Sequence, residues 1–180
     1  MTNKKDITDQ ATTDFDAVVV GAGFAGLYML HLLRDKLGLH ATAIEAANGV
    51  GGTWYWNRYP GARCDIPSMD YSYSFSDELQ QEWEWSEKYA SQQEILAYLE
   101  FVANKFDLNK DIRFGTRVIG ADYNETDHRW HLTSDDGKAL TARFLISGVG
   151  ALSTAAVPDI EGIDRFEGLS LNTSSWPGEG

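Results

Sequence analysis

The 180-residue chain has a single cysteine, Cys64, so no disulfide can form within it, which fits a reducing cytoplasm. Positive charge is scarce: 15 Lys and Arg against 27 Asp and Glu leave a net charge of −12. A surface of that sign attracts neither nucleic acid nor an anionic membrane, so neither is expected as a partner. The apolar segment from Ala17 to Leu33 is short and broken by glycines, which argues against a membrane span. Asp14 and Asp16 precede it where an export signal needs positive charge. Metal-binding patterns are missing too. His128 and His131 lie three apart in an expected strand and so face opposite ways, and His31 and His40 have no neighbour at ligand spacing. Nor is there a G-x-S-x-G elbow to support serine hydrolysis.

What is present begins at Asp16. Ala17 to Val20 form a β-branched apolar run that fits a strand buried on both faces. Gly21, Gly23 and Gly26 follow in the spacing G-x-G-x-x-G, and Leu27, Leu30, Leu33 and Leu37 then recur at helical spacing. Ala41 to Glu45 supply a second strand that ends in an acid. In such a unit the first glycine allows the turn, the second admits a pyrophosphate, and the third lets helix and strand pack closely. The phosphates rest on the open N–H groups of the helix, and the carboxylate of Glu45 accepts hydrogen bonds from a ribose diol. The spacing therefore predicts a dinucleotide site. Residues 1–15 are polar and aperiodic and are expected to form a mobile tail. The remainder, 16–180, suits one domain.

A glycine-rich loop, residues 46–52, leads into Thr53-Trp54-Tyr55-Trp56-Asn57-Arg58-Tyr59-Pro60-Gly61-Ala62-Arg63-Cys64-Asp65. This stretch follows no helical or strand period, and its aromatics either face a ligand or form a cluster covering the sheet. Ser91 and Glu94 make a capping box for a helix that buries Ile95, Leu99, Val102 and Phe106. Trp83, Trp85 and Tyr89, just before it, are packing residues or a contact between domains. Beyond Ile112, segments 118–123, 129–133 and 139–146 are separated by turn chemistry at residues 124–127 and 135–137. They predict a small antiparallel β-meander that returns to the parallel sheet through Phe144, Leu145 and Ile146. Gly148 and Gly150 follow, where backbone can approach a bound cofactor.

Residues 51–65, continued by 70–76 and 89–96, resemble the flavin-loop signature of the class B flavoprotein monooxygenases, and of the Baeyer–Villiger monooxygenases in particular. Residues 166–177 resemble that family's fingerprint F-x-G-x-x-x-H-T-x-x-W-P, with Asn172 where the pattern has histidine. Asparagine hydrogen-bonds but does not titrate near neutral pH, so a protonation role at that position is in doubt. The resemblance implies an α/β fold: a Rossmann-like FAD-binding domain with a parallel sheet, a helical insertion and the meander.

It also implies FAD and NADPH as cofactors. Gly21, Gly23, Phe24, Gly26 and Glu45 would hold the adenosine and pyrophosphate part. Gly52, Thr53, Trp54, Asp65 and Tyr71 would approach the flavin, and Val118 would meet the adenine through its backbone. Arg63, Cys64 and Asp65 match positions that also touch the nicotinamide nucleotide. Asp65 is the candidate catalytic residue, a carboxylate that would orient an arginine over the flavin; the alternative is an aspartate capping a turn. That arginine and a second G-x-G-x-x-G belong to later parts of the family's chains and are missing here.

The implied activity is the FAD-binding portion of an NADPH-dependent enzyme that converts small ketones to esters or lactones through a flavin peroxide, with the portion inactive by itself. Its partner would be the NADPH-binding remainder, either missing sequence or a separate chain. An N-hydroxylating or sulfur-oxidising flavin monooxygenase and a non-catalytic flavin-binding module are the alternatives.

Overall fold

A computed structural model describes residues 13–154 and 158–177. Six strands form one sheet among these residues: β1 (Thr13–Val20), β2 (Ala41–Ile44), β3 (Ile112–Arg113), β4 (Val118–Asn124), β5 (Arg129–Ser134) and β6 (Ala139–Ser147). Their order is β3-β2-β1-β6-β5-β4. The first four strands of that order run parallel, whereas β6, β5 and β4 pair antiparallel. The expected α/β fold is present, and the meander is part of the main sheet because β6 pairs with β1 along one edge and with β5 along the other.

β1 starts earlier than its apolar run. Thr13, Asp14 and Phe15 pair with Leu140, Thr141 and Ala142, so these three residues belong to the sheet and not to a tail. Phe15 packs with Val18, Ile44, Leu132 and Leu140, and this burial outweighs the polar character of its neighbours. The rest of the expected tail, residues 1–12, lies outside the described residues. Along β1, Ala17 and Val19 face one core while Val18 faces the other, as a strand covered on both sides requires.

Helix α1 (Phe24–His31) opens inside the glycine turn and continues into a π-helical turn, Leu32–Lys36. Leu27, Leu30 and Leu33 are buried as their spacing predicts, but Leu37 is 60% exposed. The Leu37 N–H bonds the Leu32 carbonyl five residues back, and that wider turn rotates Leu37 off the apolar face.

The aromatic loop is not wholly irregular: Thr53–Trp56 form a single turn, α2, too short to show a period. After α3 (Asp77–Glu82) comes α4 (Gln92–Lys105), which buries Ile95, Leu99 and Val102, while Phe106 stands just past its end. Ser91 Oγ accepts the Glu94 N–H at 3.3 Å, which is half of the expected box. The Glu94 carboxylate instead accepts from the Ser86 N–H and hydroxyl at 2.6 and 2.9 Å. Trp83 and Trp85 pack on Tyr98, with ring centroids 5.3 and 5.1 Å away, whereas Tyr89 is exposed. His128 lies in the β4–β5 turn at φ 55° and not in a strand, and His131 pairs with Asp127 at 2.7 Å. Among the described residues no helix is long and apolar enough to cross a membrane.

Candidate dinucleotide cleft

The carboxyl ends of β1, β2 and β6 open on one cleft of about 450 Å³. This is where ligands settle on an open α/β sheet, because loops diverge there and leave backbone groups unpaired. Gly21 ends β1 at φ +101°, and a Cβ on it would stand 2.6 Å from the Gly148 carbonyl oxygen, so β1 and the turn after β6 pass in near contact. Gly26 is tighter still, since its Cβ would come within 1.8 Å of the Gly21 carbonyl oxygen. No side chain fits there, and the first turn of α1 is thereby pressed against the strand it follows.

The second glycine loop meets the first. A Cβ on Gly23 would lie 3.4 Å from Gly52 Cα, and the Gly51 N–H donates to the Ala22 carbonyl at 3.0 Å. Two stretches of nearly bare backbone thus line one wall, at the N-terminal end of α1. Unpaired N–H groups and the positive end of the helix dipole make this wall attractive to a diphosphate.

Glu45 is 5% exposed and lines the same cleft. Its Oε2 accepts the Ala22 N–H and its Oε1 the Ala47 N–H, both at 2.7 Å. Each carboxylate oxygen can accept more than one hydrogen bond, so capacity for a ribose diol remains. A glycine-bared wall, an open helix end and an acid one strand over form a donor and acceptor set that fits an adenine dinucleotide.

The expected residues divide into two groups. Gly21, Gly23, Glu45, Gly52, Thr53 and Val118 line the cleft, with Gly26 packed beneath. Phe24, Trp54 and Tyr71 pack on one another instead, the Tyr71 ring 5.4 Å from each of the other two. Cys64 is buried with Ala90 and Ile95. Arg63 turns to Glu87 and the Tyr89 carbonyl at 2.9 and 2.8 Å. Asp65 is exposed and off the cleft wall. The Tyr71 ring packs on the buried cluster that holds Cys64, and its phenol is pushed above its ordinary pKa by burial first and then by Cys64 and Asp65. The aromatic loop therefore combines both readings: Thr53 and Trp56 face the cleft, and Trp54 covers the core.

Sequence reasoning missed Asn57, Thr116, Arg117 and Ser174, all of which line the cleft. The signal for Ser174 was its place inside the fingerprint. Asn172 Oδ1 accepts the Ser174 N–H at 3.0 Å and its hydroxyl at 2.7 Å, so the substituted position caps a short turn at the cleft edge.

Residues 19–80 match the model of the NAD(P)-binding Rossmann-like domain. A phenazine N-monooxygenase of Lysobacter antibioticus is 47% identical over 171 residues, covering 95% of this chain and 32% of that protein. A Baeyer–Villiger monooxygenase of Pseudooceanicola batsensis is 47% identical over 170 residues, covering 94% of this chain and 31% of that protein. The chain is thus similar in sequence to the Baeyer–Villiger monooxygenases. A similar solved structure, oxidised steroid monooxygenase bound to NADP, superposes with a TM-score of 0.85 at 58% identity, covering 93% of this chain and 32% of that one. The chain spans about a third of the length of the curated relatives it matches.

Proposed function

We propose that this chain is the FAD-binding portion of an NADPH-dependent Baeyer–Villiger-type monooxygenase that converts small ketones to esters or lactones. The observation that carries the proposal is the cleft itself, where the glycine turn, the open end of α1 and Glu45 stand in the order of a diphosphate and its ribose. Bound FAD would supply the redox chemistry, accepting hydride from NADPH and activating oxygen. The residues of this chain bind and orient it. Gly21, Gly23 and Gly52 leave room for the diphosphate, Glu45 takes the ribose, and Thr53 and Trp56 line the same cleft. Asp65, exposed next to the buried Cys64, would orient a cation supplied from the remainder of the enzyme.

That remainder, with its NADPH site and most of the substrate pocket, is the proposed partner, in the same polypeptide or a second one. The one cysteine is buried and unpaired, in keeping with a cytoplasmic protein. N-oxygenation is the second reading, favoured by the 47% identity to a phenazine N-monooxygenase.

Titration of the purified chain with FAD tests the cofactor, and bound flavin bands in the visible spectrum are expected. Reconstitution with the remainder of the enzyme tests the reaction through ketone-dependent NADPH consumption and ester formation. No ester from a broad ketone panel, with N-oxide formed from a phenazine, would move the assignment to the second reading.

A further inference from the structure

We infer that Arg117 is a binding residue for the adenine end of the dinucleotide, its guanidinium resting flat against the base. The inference rests on the dinucleotide reading above and assigns one more residue to that cleft.

Three observations lead to it. Among the described residues that line the cleft, Glu45 is the only acid and Arg117 the only base. No ion pair with the described residues engages the Arg117 guanidinium, whereas Arg34, Arg63, Arg129 and Arg143 are each paired with a carboxylate. The Arg117 backbone is nevertheless held from both sides: its N–H donates to Asp135 Oδ1 at 3.0 Å and its carbonyl accepts the Asp135 N–H at 2.9 Å. A side chain that is exposed, without an ion-pair partner among the described residues and mounted on a fixed backbone at the cleft wall is positioned for a ligand.

The order of groups along the cleft says which part of the ligand it meets. The diphosphate belongs at Gly21 and Gly23, and the ribose at Glu45. The Glu45 backbone carbonyl accepts the Thr116 N–H at 3.0 Å, and the Gly115 N–H donates to the Ala47 carbonyl at 2.8 Å. Residues 115–117 therefore flank the strand end that holds the ribose. A base lies beyond its ribose as seen from the phosphates, so adenine falls against Thr116, Arg117 and Val118. A planar guanidinium stacks on an aromatic face and keeps its charge there, which an ammonium does less well. In a chain of net charge −12, this cation also offsets repulsion of an anionic ligand.

The test is binding of ADP and of FMN to the 180-residue chain, measured by calorimetry for the unaltered protein and for Arg117→Ala and Arg117→Lys. Arg117→Ala should weaken ADP binding about fivefold, the range of a partly exposed cation–π contact. Arg117→Lys should recover only part of the loss, and FMN, which has no adenine, should bind all three proteins alike. ADP binding left intact by Arg117→Ala overturns the inference. Equal weakening of ADP and FMN also overturns it, in favour of a phosphate contact. If the unaltered chain binds FAD but Arg117→Ala costs nothing, the dinucleotide reading stands and this one alone falls; if it binds no adenine nucleotide, both fall. Arg117 is exposed, so truncation should leave folding intact, and an unchanged urea midpoint confirms this.

Discussion

Glu45 reaches from the end of β2 to the turn after β1 and accepts the Ala22 N–H on Oε2 at 2.7 Å. Its other oxygen takes the Ala47 N–H, so one buried carboxylate ties the glycine turn to the loop that leads into the aromatic segment. The acid thus has a structural role before any ligand arrives.

Removing that carboxylate leaves two backbone donors without partners. Glu45→Ala should cost about 2–6 kcal/mol, from roughly 1–3 kcal/mol for each of the two buried donors left unsatisfied. Glu45→Gln retains one acceptor and turns an amide N–H toward the other donor, so it should cost about half as much. Urea unfolding measures both, and equal stability of all three proteins would show that Glu45 does not hold the turn.

Gly26→Ala places a methyl group 1.8 Å from the Gly21 carbonyl oxygen, and backbone on both sides prevents relief. Overpacking of this severity should cost about 3 kcal/mol or more and widen the cleft. Gly120→Ala is the control, because nothing lies within 4 Å of its Cβ. It should change stability by less than about 0.5 kcal/mol. Similar urea midpoints for the two variants would contradict the close packing of α1 on β1.

Arg34 joins the π-helical turn after α1 to the residues that follow α4. It donates to Asp35 and Asp111 and to the Phe106 and Asp107 carbonyls, at 2.6 to 2.8 Å. Arg34→Ala should cost about 2–3 kcal/mol, since several of these bonds are charge-assisted and partly shielded from water. Arg34→Lys should rescue little, because an ammonium cannot reproduce the fork. Thermal unfolding that ranks lysine with arginine would refute this.

Alkaline stability should depend on buried tyrosines. Tyr73 donates its hydroxyl to the Phe24 carbonyl at 2.6 Å, and burial, followed by the neighbouring Tyr98, holds its pKa above the ordinary range. Burial also raises Tyr98 and Tyr71. Unfolded phenols titrate near about 10, so the folded chain keeps protons that the unfolded chain releases. This contribution is complete below about pH 10 and is lost as the pH rises through the raised folded values. Tyr73→Phe should lose the Phe24 bond, about 1 kcal/mol at neutral pH, and flatten the alkaline decline. If all 8 tyrosines ionised together near pH 10 in the folded chain, as followed by phenolate absorbance, the burial argument would fail.

Much of the cleft was legible in the sequence because it is built from neighbours. Gly21 to Gly26 and Glu45 act through turns, spacing and a strand end, all of which residue order specifies within one unit. Phe24, Trp54 and Tyr71 were not legible in the same way. Their motif placed them near a cofactor, but contact with each other, and of Phe24 with Tyr98, packed them against the core. Asp65 illustrates the same limit: its motif placed it by the flavin, whereas the packing of the loop leaves it exposed and off the cleft wall, which no periodicity encodes.

By itself the sequence determined the strand, glycine turn, helix and acid-tipped strand, and the two hairpin turns after Asn124 and Ser134. Each depends on backbone freedom and hydrophobic period over a few residues. Only the tertiary structure decided that Thr13 to Phe15 join the sheet, that Leu37 turns outward after the π-helical turn, and that Arg117 and Gly21 come to line one cleft. Those outcomes rest on the order in which β3, β2, β1 and β6 pair, which brings residues nearly a hundred positions apart to one cleft through long-range burial and the ladder hydrogen bonds.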